Sequence, residues 1–191
     1  SDEPPVVALA RTRWLVGTVG ILLAFALFLV WVLLNRGSDQ AAPAPAPVPV
    51  RIAKAIDFDP KQDGGSGAEN PKQTTLAIDG DPDTAWFTER YKGSADFAGL
   101  KAGAGLVLDL GEAKEITTVT VDFGKAGGSA DLLVPVKEDV TKAPLSGLKQ
   151  WRRLGDLSSG SLTVEPVTTR FVLVYLTELA PAGDDYFRGS I

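Results

Sequence analysis

The stretch Gly105-Leu-Val-Leu-Asp-Leu-Gly-Glu-Ala-Lys-Glu-Ile-Thr-Thr-Val-Thr-Val121 decides how the larger part of this chain folds. Successive side chains of a strand point to opposite faces, so apolar and polar residues alternating with period two mark a strand with one face on a core. Gly103–Leu110 places Leu106, Leu108 and Leu110 on one face, and Thr117–Phe123 alternates Val119, Val121 and Phe123 with Thr118, Thr120 and Asp122. Farther on, Phe171-Val-Leu-Val-Tyr-Leu176 is apolar on both sides and reads as a central strand. Ala130–Val136 and Ser161–Val164 are further strand candidates. Gly, Pro and Asp turns separate these runs, and no window beyond Arg51 sustains a helical period. The pattern predicts an all-β sandwich over residues 51–191.

Upstream the chain changes character. Trp14–Leu34 holds no charged residue and no proline. At about 1.5 Å of rise per residue, such a run covers the ~30 Å hydrocarbon core of a bilayer as one helix, which satisfies its own backbone hydrogen bonds. It has no polar face, unlike the surface helix of a globular core. It is also long for a signal-peptide core, and no small-residue cleavage site follows it. Arg11 and Arg13 precede it and only Arg36 follows closely, which predicts a cytoplasmic N-terminus, with residues 1–13 as a juxtamembrane tail. Trp14 and Trp31 stand near the two ends, where indole rings favour the interface. Gly20 and Ala24 have the small-xxx-small spacing of associating membrane helices. Residues 35–50 then form a linker in which Ala or Val alternates with Pro. Extended polyproline geometry there makes a semi-rigid stalk holding the domain about 25–30 Å from the membrane.

Composition removes several classes of function. The sequence of 191 residues carries 24 Asp and Glu against 19 Lys and Arg, and no basic face is evident, so nucleic acid is not an expected partner. With no Cys there is no disulfide framework and no thiol chemistry. With no His, the usual general base near neutral pH is missing, together with most zinc sites. No catalytic motif replaces them, and the chain is not expected to be an enzyme. It begins at Ser1 without Met, which reads as a piece of a longer protein.

Two acidic stretches have the residue types of a cation-wrapping loop. The first is Asp57-Phe-Asp-Pro-Lys-Gln-Asp-Gly64, followed by Glu69; the second is Ala77-Ile-Asp-Gly-Asp-Pro-Asp-Thr-Ala-Trp86. Asp, Gly and Pro are equally the residues of ordinary turns, and neither stretch has the EF-hand spacing. The second stretch also carries a family likeness. Asp79-Gly80 followed by Thr84-x-Trp86 resembles the signature near the start of discoidin domains, also called coagulation factor 5/8 type C domains. Gly105–Gly111, Glu115–Val121 and Thr169-Arg-Phe-Val-Leu-Val174 follow in that family's order. The likeness covers most of Ile52–Ile191 and implies a galactose-binding-like jelly roll. An anchor, a Pro/Ala stalk and a discoidin-like domain together resemble the C-terminal end of actinobacterial MviN proteins. Those are relatives of the lipid II flippase that carry a kinase-like domain before the last helix.

The resemblance implies roles for particular positions. Trp86 would be a core residue. Asp79, Asp81 and Thr84 would hold a structural calcium ion, to which the family often adds an acidic ligand from the last strand; Gly189-Ser-Ile191 supplies none. Family ligands bind loops at one end of the sandwich, which points to Glu89, Arg90, Tyr91 and Asp96, and to Trp151 and Arg152. Aromatic faces stack on sugar rings, and Arg and carboxylates hydrogen-bond their hydroxyls, although Tyr91 and Trp151 equally suit the sandwich edge. The expected function is a membrane-anchored, extracytoplasmic, non-catalytic module that recognises a cell-wall glycan or peptidoglycan precursor. The alternative is a protein-interaction scaffold with no small ligand.

Overall fold

A computed structural model describes residues 27–28, 30–32, 48–124 and 127–191. Leu27, Phe28, Val30, Trp31 and Val32 are helical, with the Phe28 and Trp31 rings stacked 6.1 Å apart. The rest of the expected span Trp14–Leu34, the tail 1–13 and the linker as far as residue 47 lie outside the described residues. Among the described residues no helix is long and apolar enough to cross a membrane.

Pro49–Ile191 forms one compact unit. Its strands are β1 (Lys54–Phe58), β2 (Tyr91–Lys92), β3 (Ala104–Thr120), β4 (Ser129–Pro135), β5 (Trp151–Asp156), β6 (Ser161–Glu178), β7 (Ala180–Pro181) and β8 (Tyr186–Arg188). They make a five-stranded sheet in the order β1-β3-β6-β4-β5 and a three-stranded sheet in the order β2-β8-β7, and every pairing is antiparallel. The fold is a β-sandwich in which the helical elements are short 3₁₀ turns.

Two pairs of expected strands are continuous. Gly103–Leu110 and the start of Thr117–Phe123, as far as Thr120, join in β3, and Ser161–Val164 and Phe171–Leu176 join in β6. The join in β3 is an irregularity between Asp109 and Lys114. Gly111 sits there at φ +83°, a conformation that costs glycine little, and its N–H donates to Asp109 Oδ1 at 2.8 Å. Arg170 from β6 grips the same carboxylate with two bonds of 2.8 and 2.9 Å, which explains the acidic residue inside an apolar strand.

The period-two pattern of β3 and β6 feeds two apolar clusters. Leu106, Leu108, Val172, Val174 and Leu176 join the main core with Trp86, Phe97, Leu132 and Leu157. Val107, Phe171, Leu173 and Tyr175 face the other way and pack with Phe58, Leu133 and Trp151. This second face is closed by the segment between β4 and β5, through Val140, Ala143 and Leu148. Asp63 Oδ2 pins that segment by accepting the Leu148 N–H at 2.7 Å. The Tyr175 hydroxyl is buried here without a hydrogen-bond partner among the described residues.

The deepest polar feature is a buried ion cluster. Lys101 Nζ lies 2.6 Å from Asp59 Oδ1 and 2.7 Å from Glu69 Oε2, and the three side chains are 4, 0 and 1% exposed. Asp59 also accepts the Ser66 N–H and hydroxyl, and Glu69 accepts the Tyr91 hydroxyl and the Glu89 N–H. Burial favours a neutral Asp59, but the hydrogen bond and charge of Lys101, with the Ser66 contacts, hold its pKa below the ordinary 3.8. Burial likewise opposes the charge on Lys101, yet Asp59, Glu69 and Tyr91 hold its pKa above the ordinary 10.5. One lysine thus faces two carboxylates of the first acidic stretch, and the remaining ones cap backbone: Asp57 accepts the Glu69 N–H at 2.9 Å.

Asp59 contributes stability that is present above the unfolded carboxylate value and is lost as pH falls through its lowered folded value. Lys101 contributes stability that is fully present below its unfolded value and is lost as pH rises through its raised one. Thermal stability is expected to be flat from about pH 5 to about pH 9 and to fall on both sides. Lys101→Met strands two facing carboxylates and is expected to cost about 3–5 kcal/mol in urea unfolding followed by near-UV circular dichroism. A loss of under about 1 kcal/mol would show that the cluster does not hold the fold.

Candidate functional site

The residues expected at the ligand loops do not form one site. Glu89, Arg90 and Tyr91 lead into the three-stranded sheet, whereas Trp151 and Arg152 open β5 at the edge of the five-stranded sheet. Trp151 is 6% exposed, packs edge-on against Phe58 and donates from Nε1 to the Pro144 carbonyl at 2.8 Å. Tyr91 is also a core ring, edge-on to Phe97 at 5.1 Å, with its hydroxyl on Glu69. Neither ring is a platform for ligand, because each satisfies its apolar area and its polar tip inside the domain. Glu89 and Asp96 are exposed, and Asp96 accepts a short hydrogen bond from the Ser94 hydroxyl. Arg152 lines an open groove of about 710 Å³ between β5 and the first half of β6, with Lys137, Glu138, Leu154 and Glu165. No aromatic side chain lines that groove among the described residues.

Arg90 lies elsewhere, on the outward face of the three-stranded sheet. Tyr91 pairs with Phe187 and Lys92 with Tyr186, whereas Thr88 bonds Gly189 and Phe87 bridges Ser190, one residue out of that register, so Glu89 and Arg90 both lie opposite Arg188 in a bulge. Tyr91 points into the core, so by strand alternation Arg90 points out. The Arg90 guanidinium stacks 4.5 Å from the centroid of Tyr186, and the Arg188 guanidinium 4.3 Å from that of Phe87. Phe87 is 37% exposed. Each guanidinium is anchored by one backbone carbonyl: Arg188 Nε donates to Thr88 O at 2.9 Å, and Arg90 Nη2 to Ala182 O at 3.3 Å. Burial, and then the charge of Arg90, hold the Arg188 pKa below its ordinary value. Tyr186 and Arg188 belong to no motif in the sequence, and their i, i+2 spacing is the one signal that places both on one face of a strand.

The Asp79–Thr84 turn holds an oxygen cluster. Thr84 Oγ1 lies 2.9 Å from both Asp79 carboxylate oxygens, 3.1 Å from Asp81 O and 3.4 Å from Leu76 O. A hydroxyl has one proton, so it satisfies one of these four acceptors. These oxygens gather around the Thr84 hydroxyl, and Asp79 Oδ1 also accepts the Asp81 N–H at 3.0 Å; carboxylate, carbonyl and hydroxyl oxygens are the types that coordinate calcium. Asp81 differs from expectation: its carboxylate accepts the Asp83 N–H at 2.9 Å, and its carbonyl faces the cluster instead. Beside the cluster is a cavity of about 340 Å³ lined by Ile52, Asp79, Thr84, Thr120, Asp122 and Ile191, among others. Among the described residues no three side chains drawn from His, Cys, Asp and Glu form a metal-binding group. Trp86, two residues on from Thr84, is fully buried, and its backbone exchanges hydrogen bonds of 2.9 and 3.0 Å with Ile191.

Fold and surface together describe a β-sandwich that carries an arginine–aromatic face on its smaller sheet and an oxygen-lined turn. No known protein-family model matches the chain. Among solved structures, it is similar to chitosan-binding module 2 of a chitosanase/glucanase from Paenibacillus sp. IK-5, in complex with chitotriose. There the identity is 17%, the TM-score 0.45, and the match covers 74% of this chain and 95% of that one. A second similar structure is a Clostridium perfringens module in complex with GalNAc-β-1,3-galactose, at 19% identity and TM-score 0.40, covering 71% of this chain and 89% of that one. A third is a pectin-binding carbohydrate-binding module, at 15% identity and TM-score 0.43, covering 74% and 88%.

Proposed function

We propose that Pro49–Ile191 is a non-catalytic, discoidin-like carbohydrate-binding module, and that it binds through the arginine–aromatic face of its smaller sheet. The observation that carries this reading is the grouping of Phe87, Arg90, Tyr186 and Arg188 on one exposed surface. Aromatic rings supply apolar area for the flat face of a sugar, and guanidiniums supply fixed donors for its hydroxyls. Behind an outward-facing anchor and stalk, the ligand is a cell-wall glycan or peptidoglycan precursor, and the chain is part of a larger cell-wall biosynthesis membrane protein. The same anchor and stalk would present a protein-interaction scaffold equally well, but the grouped rings and donors favour a saccharide.

Titrating the protein with chito-oligosaccharides and muropeptides, followed by NMR, is expected to shift resonances of residues 87–92 and 186–188. Phe87→Ala and Tyr186→Ala should each weaken binding about two- to tenfold, in line with the ~0.5–1.5 kcal/mol that an aromatic contact contributes beyond area. No shift at millimolar saccharide would end the glycan reading in favour of the scaffold.

We infer in the same way that the Asp79–Thr84 turn holds a structural calcium ion through Leu76 O, Asp79, Asp81 O and Thr84. Calcium at about a hundred times its Kd would add about 2.7 kcal/mol of stability. The expected result is a rise in Tm on adding calcium, reversed by EGTA and absent in Asp79→Asn. A Tm indifferent to calcium would remove the ion from this account.

The topology proposed is an N-terminus in the cytoplasm and residues 51–191 outside, supported by Arg11 and Arg13 ahead of the apolar run. Protease added to intact cells should then remove the domain; digestion only after lysis would invert the orientation.

A further inference from the structure

The arginine–aromatic face consists of two ring–guanidinium pairs, and the strand register holds them apart. Arg90 lies over Tyr186 and donates to Ala182 O, while Arg188 lies over Phe87 and donates to Thr88 O, so the two pairs lead opposite ways along β8. Tyr186 pairs with Lys92, and Phe87 bridges Ser190. The two rings therefore mark positions 186 and 190 of the same strand line. At about 3.3 Å of rise per residue, these positions are about 13 Å apart. No single pyranose ring reaches across that distance. Both rings face the same way: Phe187 packs into the core, so Tyr186 points outward, and Phe87 stands between the buried Trp86 and Thr88 and points outward as well.

The backbone between the pairs is fixed. Gly189 is pressed so closely on the core that a Cβ there would lie 2.5 Å from Leu176 Cδ1 and 3.1 Å from Leu179 Cδ2. At the outer ends, Asn70 Nδ2 donates to Phe87 O at 2.8 Å, and the Tyr186 N–H donates to Gly183 O at 2.9 Å. The spacing of the rings is thus set by the core before any ligand arrives. The four side chains line neither the groove at Arg152 nor the cavity beside Asp79. A single small ligand is held best in a concave site that encloses it, whereas an open face with two separate anchor points suits a chain laid along it. Each guanidinium gives one donor to a backbone carbonyl and makes no ion pair among the described residues, so most of its five N–H donors remain for sugar hydroxyls.

We propose that the Arg90–Tyr186 and Arg188–Phe87 pairs are two subsites for one glycan chain, and that the ligand is an oligosaccharide bound along its length rather than a single terminal sugar. The proposal rests on the glycan reading above and adds the length of ligand that the face requires. Each pair holds one sugar of the chain by ring contact and N–H donors. The covalent links between those sugars make the second contact intramolecular, so affinity rises once the chain is long enough to reach both pairs.

The test is a length series on the intact protein, followed by NMR and calorimetry. One series is chito-oligosaccharides from the single sugar to the hexamer, and the other is peptidoglycan glycan fragments from the disaccharide to the hexasaccharide. Affinity is expected to rise about tenfold or more from the shortest to the longest member of whichever series binds. The longest chain should bind once per domain and shift residues 87 and 186 with one shared saturation curve. The shortest member should saturate the two pairs independently. Phe87→Ala and Tyr186→Ala each remove one pair, so each should cost the shortest member about twofold and the longest about tenfold, which flattens the dependence on length. Affinity that does not change with length, a rise with length that shifts only one of the pairs, or an equal loss at every length in both variants overturns the proposal and leaves the glycan reading standing. If no member of either series shifts these residues, both fall.

Discussion

The ammonium group of Lys101, enclosed by Asp59 and Glu69, is the contact on which the domain's organisation converges. The three charged side chains come from separate segments: Asp59 from the turn after β1, Glu69 from the segment ahead of the 3₁₀ turn at Pro71, and Lys101 from the lead into β3. Glu69 also receives the Tyr91 hydroxyl and the Glu89 N–H, and its carbonyl receives the Trp86 indole at 3.1 Å. A buried charge is tolerated only when it is paired and hydrogen-bonded, so these segments cannot move independently. The turn ahead of Lys101 shows the same constraint. Phe97 adopts φ +57°, a region that bulky side chains avoid, while its ring is fully buried and lies 5.4 Å from the ammonium group.

This cluster also positions the proposed binding face. Fixing Tyr91 inward against Glu69 commits its neighbour Arg90 to the opposite side of β2, because strand side chains alternate. The Thr88 segment is clamped from the C-terminal side, where its N–H donates to Gly189 O and its hydroxyl accepts the Gly189 N–H, both at 3.0 Å. Phe87 and Arg188 are therefore placed by backbone that belongs to the core, although their side chains lie at the surface. A recognition surface on the back of a rigid sheet keeps its donors in place without a ligand, which lowers the ordering cost of binding. The oxygen-lined turn at Asp79–Thr84 lies immediately before Trp86, so a cation there would brace the same segment from its other end.

The period-two reading of residues 105–121 and 171–176 succeeded because alternation is a local property that burial on one or both faces imposes directly. It did not reveal β1, β5, β7 or β8, which are short or carry little apolar contrast, and whose strand state depends on a neighbour to pair with. β5 shows this well: Trp-Arg-Arg at its start reads as an exposed loop, yet pairing with β4 turns the indole under the sheet. The break between Leu110 and Thr117 likewise looked like a turn, whereas one glycine and a bulge let β3 run through.

What the sequence by itself determined is the class of the domain, the apolar run ahead of it and the chemistries it lacks, since composition and periodicity act without reference to distant residues. It also contained Arg90 and the Asp79–Thr84 oxygen set within single short segments. Only the tertiary structure decided that Asp59 and Glu69 hold a lysine, that Tyr91 and Trp151 are core residues, and that Arg90 and Arg188 rest on the rings of Tyr186 and Phe87. Each of these joins positions far apart in the chain, and their proximity is set by strand register and burial, which no local window of residues encodes.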